Sequence, residues 1–283
     1  MTVPAAASYQ AGTVMDPTST VVRFPATAFR SQAEFLAFRR DAQDRLDARY
    51  LYETTLIGPD AVLVQPGTCA PCLRRTRFTS DTRGWPRRAD GQAVPDWDAA
   101  LHCDCPERLS KRARAVVHCA QDRGALRPWT RLLLFGPPDP SHQRLSALAG
   151  TTLTCPAPLP AAGGLHLGVP DEACHLAVAV DCLHRVPALD AALAAFRRAL
   201  VPGGALLFTV PFRHDAAAST TRADLRRPDG SLPALLREAA HELGWDLLPR
   251  LLAAGFGHAA AYGYWSAELG YLGPFGMIFL AER

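Results

Sequence analysis

The sequence predicts an α/β fold: a mostly parallel sheet with helices on both faces, preceded by a small helical and cysteine-rich segment. Three observations carry that reading. From residue 131 onward, short continuous apolar runs alternate with helical spacings, the pattern of a parallel sheet covered on both sides. Residues 51 to 106 instead hold two close cysteine pairs around a Pro/Gly/Asp-rich loop at 81 to 96 and lack the apolar rhythm of an independent core. The 283 residues are 48% hydrophobic, too apolar for a disordered chain and long enough to bury a substantial interior.

Residues 1 to 28 are rich in Ala, Thr, Ser and Pro without periodicity and read as a loose lead-in. Ser31 and Glu34 have the spacing of a capping box. Phe35, Phe38, Ala42 and Leu46 then recur at three or four, so a helix is expected over about 32 to 49, with Arg39, Arg40, Asp41 and Asp44 on its wet side. Leu109, Ala113, Val116, Val117 and Ala120 mark a helix over 107 to 122. Next come a strand at 132 to 135, a short helix at 141 to 149, a strand at 151 to 155 and a buried strand at 176 to 180. Leu189, Ala192, Leu193, Phe196 and Leu200 define a helix that stops at Pro202-Gly203-Gly204. A strand at 205 to 210, a helix at 245 to 254 closed by Gly255 and a last strand at 277 to 281 complete the order. The expected division is a lead-in (1–28), a helical and cysteine-rich segment (29–122) and the sheet domain (123–283).

Thirty basic against 27 acidic residues leave a net charge of +3, no electrostatic footprint for nucleic acid or an anionic membrane. Lys111 is the single lysine. No stretch approaches the roughly 18 to 20 apolar residues that span a bilayer, and residues 1 to 16 lack the basic and apolar regions of a signal peptide. The expected compartment is the cytoplasm, where close cysteine pairs point to metal before disulfide.

Cys69-Ala-Pro-Cys72 and Cys103-Asp-Cys105 bracket 30 residues. Two such pairs can turn four sulfurs onto one Zn²⁺. His102 and Cys105 are separated by two residues, so either His102 or Cys103 can be the fourth ligand. Binding on the order of 10 kcal/mol would supply fold energy that this loop-rich segment lacks. Four free thiols, or a redox Cys69–Cys72 pair, are the alternatives. A fully ligated ion leaves no open position, so no metal catalysis is expected.

Asp181-Cys-Leu-His-Arg-Val-Pro187, the helix at 189 to 200, Val201-Pro-Gly-Gly204 and Ala205-Leu-Leu-Phe-Thr-Val-Pro-Phe212 resemble the fourth strand, following helix and fifth strand of class I S-adenosylmethionine (SAM)-dependent methyltransferases. Gly244-Trp-Asp-Leu-Leu248, Ala254-Gly-Phe256 and Gly270-Tyr-Leu-Gly273 through Ile278-Phe-Leu-Ala281 are similar to the tail of bacterial members. The cysteine pairs, followed by a helix bearing Arg112 and Arg114, resemble a subgroup with an N-terminal zinc knuckle. The resemblance spans roughly 65 to 283. It implies a Rossmann-like domain that binds SAM at the carboxyl ends of its strands. The implied cofactor residues are Phe135, Gly136, Asp181 and Leu183, and the implied catalytic residues are His184, as general base, and Asp181.

The chain departs from that pattern between 136 and 170. Gly136-Pro-Pro-Asp-Pro140 keeps one glycine of the usual glycine-rich turn and substitutes prolines, which carry no amide donor. Thr154-Cys155-Pro156 offers no acid for the ribose, and Ala162-Gly163 offers none for the adenine. His184-Arg185 stands where the family has Glu-His, and His175 where it commonly has an aspartate. Asp181 as a helix cap and His184 facing solvent is the structural alternative to catalysis.

The reaction implied is methyl transfer to oxygen or nitrogen of a small molecule, a sugar or secondary metabolite. The competing reading is an inactive relative that serves as a binding or regulatory scaffold for a protein partner. A zinc-ribbon nucleic-acid binder is opposed by the balanced charge. Arg222, Asp224, Arg226, Arg227 and Asp229 form a polar insertion that either contacts substrate or is a solvated loop. Tyr262, Tyr264, Trp265 and Tyr271 either line a substrate pocket or pack the last strands.

Overall fold

The computed structural model describes residues 22–58, 62–83, 85–87, 89, 93–95, 97, 100–156, 159–161, 164–221 and 240–283. The polar insertion at 222 to 229, Ala162-Gly163 and most of the lead-in lie outside the described residues. In chain order the elements are β1 (Ala26–Phe29), α1 (Gln32–Asp41), α2 (Gln43–Thr55), β2 (Val62–Cys69), β3 (Arg74–Asp81), β4 (His102–Cys103), α3 (Lys111–Asp122), β5 (Arg131–Phe135) and α4 (Pro140–Leu148). There follow β6 (Thr151–Cys155), β7 (Leu159–Ala161), β8 (Gly164–His166), β9 (Cys174–Val180), a 3-10 turn (Leu183–Arg185), α5 (Leu189–Ala199) and β10 (Leu200–Thr209). The last are β11 (Thr220–Thr221), β12 (His241–Glu242), α6 (Leu247–Ala253), β13 (His258–Ser266) and β14 (Tyr271–Glu282).

The main sheet has seven strands in the order β1-β13-β14-β10-β9-β5-β6. β6, β5, β9 and β10 run parallel, and β14 pairs antiparallel with both β10 and β13. β1 adds a further antiparallel edge on β13. The sheet is thus mixed rather than mostly parallel in its pairings, because the short link between β13 and β14 can join only antiparallel neighbours. Between β6 and β9 the chain forms the β7–β8 hairpin instead of a helix and third parallel strand.

Alternation along the central strands sorts their side chains onto two covered faces. Leu133, Phe135, Ala177, Ala179, Leu206 and Phe208 meet α1, α5 and α6 through Phe35, Phe196 and Leu251. Leu132, Leu134, Leu176, Val178 and Leu207 meet α3 and α4 through Val116, Val117 and Leu145. Each Leu or Phe buried this way contributes about 1.5–3 kcal/mol. The helix α3, expected in the upstream segment, thus lies in a covering layer of the sheet, and residues 26 to 28 of the expected lead-in are sheet.

The single helix expected over 32 to 49 is two. Ser31 Oγ accepts from Glu34 N at 3.2 Å and Glu34 accepts from Arg30 N at 2.7 Å, a variant of the expected capping box. The chain leaves helical geometry at buried Ala42 (φ −107°, ψ 11°), and α2 then runs on to Thr55, with Glu53 against Trp265 of β13 and Gly273 of β14. The Pro-Gly-Gly segment is a bulge within β10 rather than a turn outside it. The pairing jumps from Leu200↔Cys174 to Ala205↔Leu176, and a Cβ on Gly204 would sit 2.9 Å from His175 O.

The cysteine-rich segment folds as a three-stranded sheet, β2-β3-β4, with a core that its sequence pattern did not announce. Phe78, Trp97, Leu101 and Leu109 pack with Leu272 of β14. Fully buried Arg114 ties this unit to the main sheet. Its guanidinium donates to Leu269 O, Gly270 O and Leu101 O at 2.6, 2.9 and 3.0 Å, and it lies 4.0 Å over the Phe78 ring. Among the described residues no helix is long and apolar enough to cross a membrane.

Candidate active site and metal centre

Cys69 ends β2 and Cys72 closes the turn into β3, while Cys103 ends β4 and Cys105 follows it. Their four sulfurs lie within 4.8 Å of one another. Tetrahedral Zn–S bonds of about 2.3 Å place sulfurs about 3.8 Å apart, so the donor set and its spacing fit a metal ion. Of the two candidates for the fourth position, Cys103 is part of this cluster. Hydrogen bonding from Cys103 pushes the Cys69 thiol up to about 12. Hydrogen bonds from Cys69 and Cys72 hold Cys103 down at about 2. Crowded sulfurs resist joint ionisation without a cation to neutralise them.

The second site lies where the parallel strands end. Phe135 closes β5, buried, with its ring edge-on to Phe196 at 5.1 Å. Gly136 follows with φ +110°, and a Cβ there would lie 3.1 Å from Cys182 Sγ. The Cys182 thiol donates to Phe135 O at 3.3 Å, and burial pushes it up to about 12, so it stays protonated at neutral pH. Asp139, just past the prolines, caps α4 by accepting from Ser141 N and His142 N at 2.7 and 3.1 Å.

Asp181, one residue past the carboxyl end of β9, adopts φ +50°, a left-handed conformation that costs an ordinary residue about 1 kcal/mol or more. It is held there from two sides. Thr209 Oγ1 donates to its Oδ1 at 3.0 Å, and the Arg112 guanidinium from α3 pairs with its Oδ2. Asp181 therefore does not act as a helix cap. Leu183 and His184 sit in the 3-10 turn, at 0% and 6% exposure, so His184 does not face solvent. Its carbonyl accepts from Ala240 N at 2.9 Å. His175 lies at the opposite end of β9, where its Nδ1 accepts from Arg131 N at 3.0 Å.

On the same edge, past β10, lies a cavity of about 470 Å³. Because β14 runs against β10, with Phe208 opposite Phe279, residues Gly273 to Phe275 extend beyond the carboxyl end of β10 and form one wall. α1, α2 and the segment around Trp97 form the others. Glu53 Oε1 accepts from Trp265 Nε1 and from Gly273 N, both at 2.6 Å. Of the four C-terminal aromatics, Trp265 lines this cavity. Tyr264 and Tyr271 pack in the core, and Tyr262 lies under Arg123 at 4.2 Å.

Sequence reasoning missed Arg112 as the partner of Asp181, and it missed Arg39, Arg49 and Glu53 as cavity residues. An arginine at the start of the helix before the first core strand was the available signal for Arg112. No periodicity marks the cavity residues, since they sit on the helix side that reads as solvated.

No family model matches the chain, and no curated protein matches it. Solved structures do. The [4+2]-cyclase SpnF is 18% identical, with 60% of this chain and 80% of that one covered at a TM-score of 0.38. A SAM-dependent methyltransferase from Mesorhizobium loti is 16% identical over 57% of this chain and 95% of its own, at 0.35. A phosphoethanolamine N-methyltransferase from Haemonchus contortus is 12% identical over 59% and 52%, at 0.39. Four parallel strands followed by the reversed β14 and its partner β13 form a Rossmann-like α/β sheet.

Proposed function

We propose that the chain is a SAM-dependent methyltransferase acting on an oxygen or nitrogen of a small molecule. The observation that carries this reading is one sheet edge holding both the strained Arg112–Asp181 pair and, beyond β10, the 470 Å³ cavity. A fold of this kind hosts many activities and does not by itself specify one. The residues fit one end of SAM. An α-amino acid is a zwitterion, and a carboxylate beside a guanidinium is its complement, so Asp181 and Arg112 would hold the methionine moiety beside the Gly136 turn. Phe135 and Leu183 would floor the site. The adenosine end is poorly provided, since β6 ends in Cys155-Pro156 with no carboxylate for the ribose. A hydrogen bond to a charged group contributes roughly 1.5–3 kcal/mol, so affinity would fall about tenfold to a hundredfold.

When bound, SAM supplies an electrophilic methyl group for direct displacement. The protein's part is to exclude water and align the acceptor, with its nucleophilic atom reaching the mouth from the cavity side. His184 is the group that takes the acceptor's proton in this reading, and its buried ring requires the 3-10 turn to shift. We assign the four-cysteine cluster to structural Zn²⁺, and eight cysteines without a disulfide support the reading of a reducing compartment, here proposed as the cytoplasm.

A second reading, a scaffold that has lost the cofactor and binds a protein partner, is favoured by a specific observation. Cys182 stands against Gly136 and Arg112 pairs with Asp181, so two of the implied cofactor residues are already engaged by the protein's own side chains. Titration calorimetry with SAM and S-adenosylhomocysteine separates the two. Micromolar binding that weakens in Arg112→Gln supports methyl transfer. Absence of heat at millimolar ligand leaves the scaffold.

A further inference from the structure

We infer that the four-cysteine centre sets the position of the Gly136 turn, and that Arg144 is the positioning residue linking the two. This role rests on the metal assignment above and not on methyl transfer. Arg144 lies on α4, and its guanidinium reaches from that helix to the ligand turn. Nη2 donates to Pro71 O, between Cys69 and Cys72, and Nη1 lies 3.7 Å from Glu107 Oε1. Glu107 Oε2 in turn lies 3.9 Å from Cys72 Sγ. Arg144 Nε is buried with no hydrogen-bond partner, so the side chain is enclosed at its stem. Ala70, also between the two ligands, belongs to the same buried cluster as Leu145 of α4.

The ligand turn keeps its shape only while both cysteines are held. Leu73, just after Cys72, takes φ +51°, a left-handed conformation unfavourable for leucine, and its amide donates to Ala70 O at 3.2 Å. Sulfur–metal bonds on either side of Ala70 and Pro71 would fix where the Pro71 carbonyl points. Loading also changes charge. Four neutral thiols become Zn²⁺ with four thiolates, a net dianion, which strengthens the hold on a guanidinium bonded inside the turn.

The start of α4 carries that hold to the other site. Asp139 Oδ1 accepts from Ser141 N and His142 N at 2.7 and 3.1 Å, and both residues are buried. Only Pro137 and Pro138 separate Asp139 from Gly136, and each ring fixes a backbone torsion. A shift of α4 is therefore passed on to Gly136, whose amide donates to Cys155 O at 2.9 Å, instead of being absorbed by a flexible loop.

The test is native-state hydrogen exchange on the full-length protein, with metal analysis of the same samples and Zn²⁺ as the only added ligand. Stripping metal from the parent with a chelator should speed exchange at Gly136, Ser141 and His142 by about tenfold or more, the equivalent of one hydrogen bond to a charged group. Leu132, Leu133 and Leu134 should stay protected. Arg144→Met should keep one ion per chain and protection across Arg74–Asp81, yet exchange fast at Gly136, Ser141 and His142 with or without metal. Arg144→Lys, which keeps one donor for Pro71 O, should restore part of the metal dependence. A side chain that merely stabilised α4 would leave that dependence intact. Exchange indifferent to metal in a loaded parent, a metal dependence that survives in Arg144→Met, or loss of the ion from that variant would overturn the inference alone. A parent that takes up no Zn²⁺ would overturn the metal assignment with it, so the two failures are read from different measurements.

Discussion

The two larger β-sheets among the described residues are held together by different physics. The seven-stranded sheet buries apolar side chains on both faces, and its inner strands are covered by helices from each side. The β2–β4 unit has one small core around Phe78, Trp97 and Leu101, and its turns converge on four thiols. A sheet whose stability is spread over many contacts loses little from any one of them. A unit hinged on one cluster and one arginine fails as a whole when either is removed.

The largest expected effect is therefore on the cluster. On the proposed zinc assignment, binding contributes on the order of 10 kcal/mol, so Cys69→Ser with Cys72→Ser should strip one ion per chain. Amide protection should vanish across Arg74–Asp81 and persist across Arg131–Phe135, as read by hydrogen exchange with metal analysis. If the double variant keeps its metal and its protection, the ligand set is wrong.

Arg114 comes next, as the tie between the two units. Its removal leaves three buried carbonyls without a donor, at about 1–3 kcal/mol each. Arg114→Met should thus lower unfolding stability by about 3 kcal/mol or more in urea titrations. A loss near zero would show that the small sheet docks without it.

The smallest effect concerns pH and the large sheet alone. Burial holds the His118 imidazole below its usual value, where its ring nitrogens meet Tyr271 OH at 3.1 Å and Val22 O at 2.6 Å. The unfolded chain, titrating near about 6.5, then takes up the proton first. This contribution is intact above that pH and is lost as pH falls from there toward the lower folded value, by at most about 1.4 kcal/mol per pH unit. The melting temperature of the parent should decline over that window more steeply than that of His118→Gln. Parallel curves would assign the acid sensitivity elsewhere.

How much was legible follows from the same contrast. Leu132–Phe135 and Leu176–Val180 announce themselves because a strand buried on both faces must be apolar throughout. The four cysteines announce themselves because ligand spacing is a local property. β13 was harder to read, since Ala259, Ala260, Ala261 and Gly263 carry little side chain and its place depends on distant partners. The strand end at Asp181 could be located from the resemblance, but its Arg112 partner lies 69 residues away and no spacing rule reaches that far. Arg39 is on the wet side of its helix as expected, and its place at the rim of a cavity depends on segments far away in the chain.

One modest element has a practical reach. β1 covers the outer side of β13 from Ala26↔Tyr264 to Phe29↔Ala261, and just upstream of it Val22 offers its carbonyl to His118. Shortening the chain to residue 30 would uncover a run of backbone amides and carbonyls that neighbouring molecules can pair with. Such a preparation should associate and precipitate on concentration, whereas one beginning at residue 20 should stay dispersed.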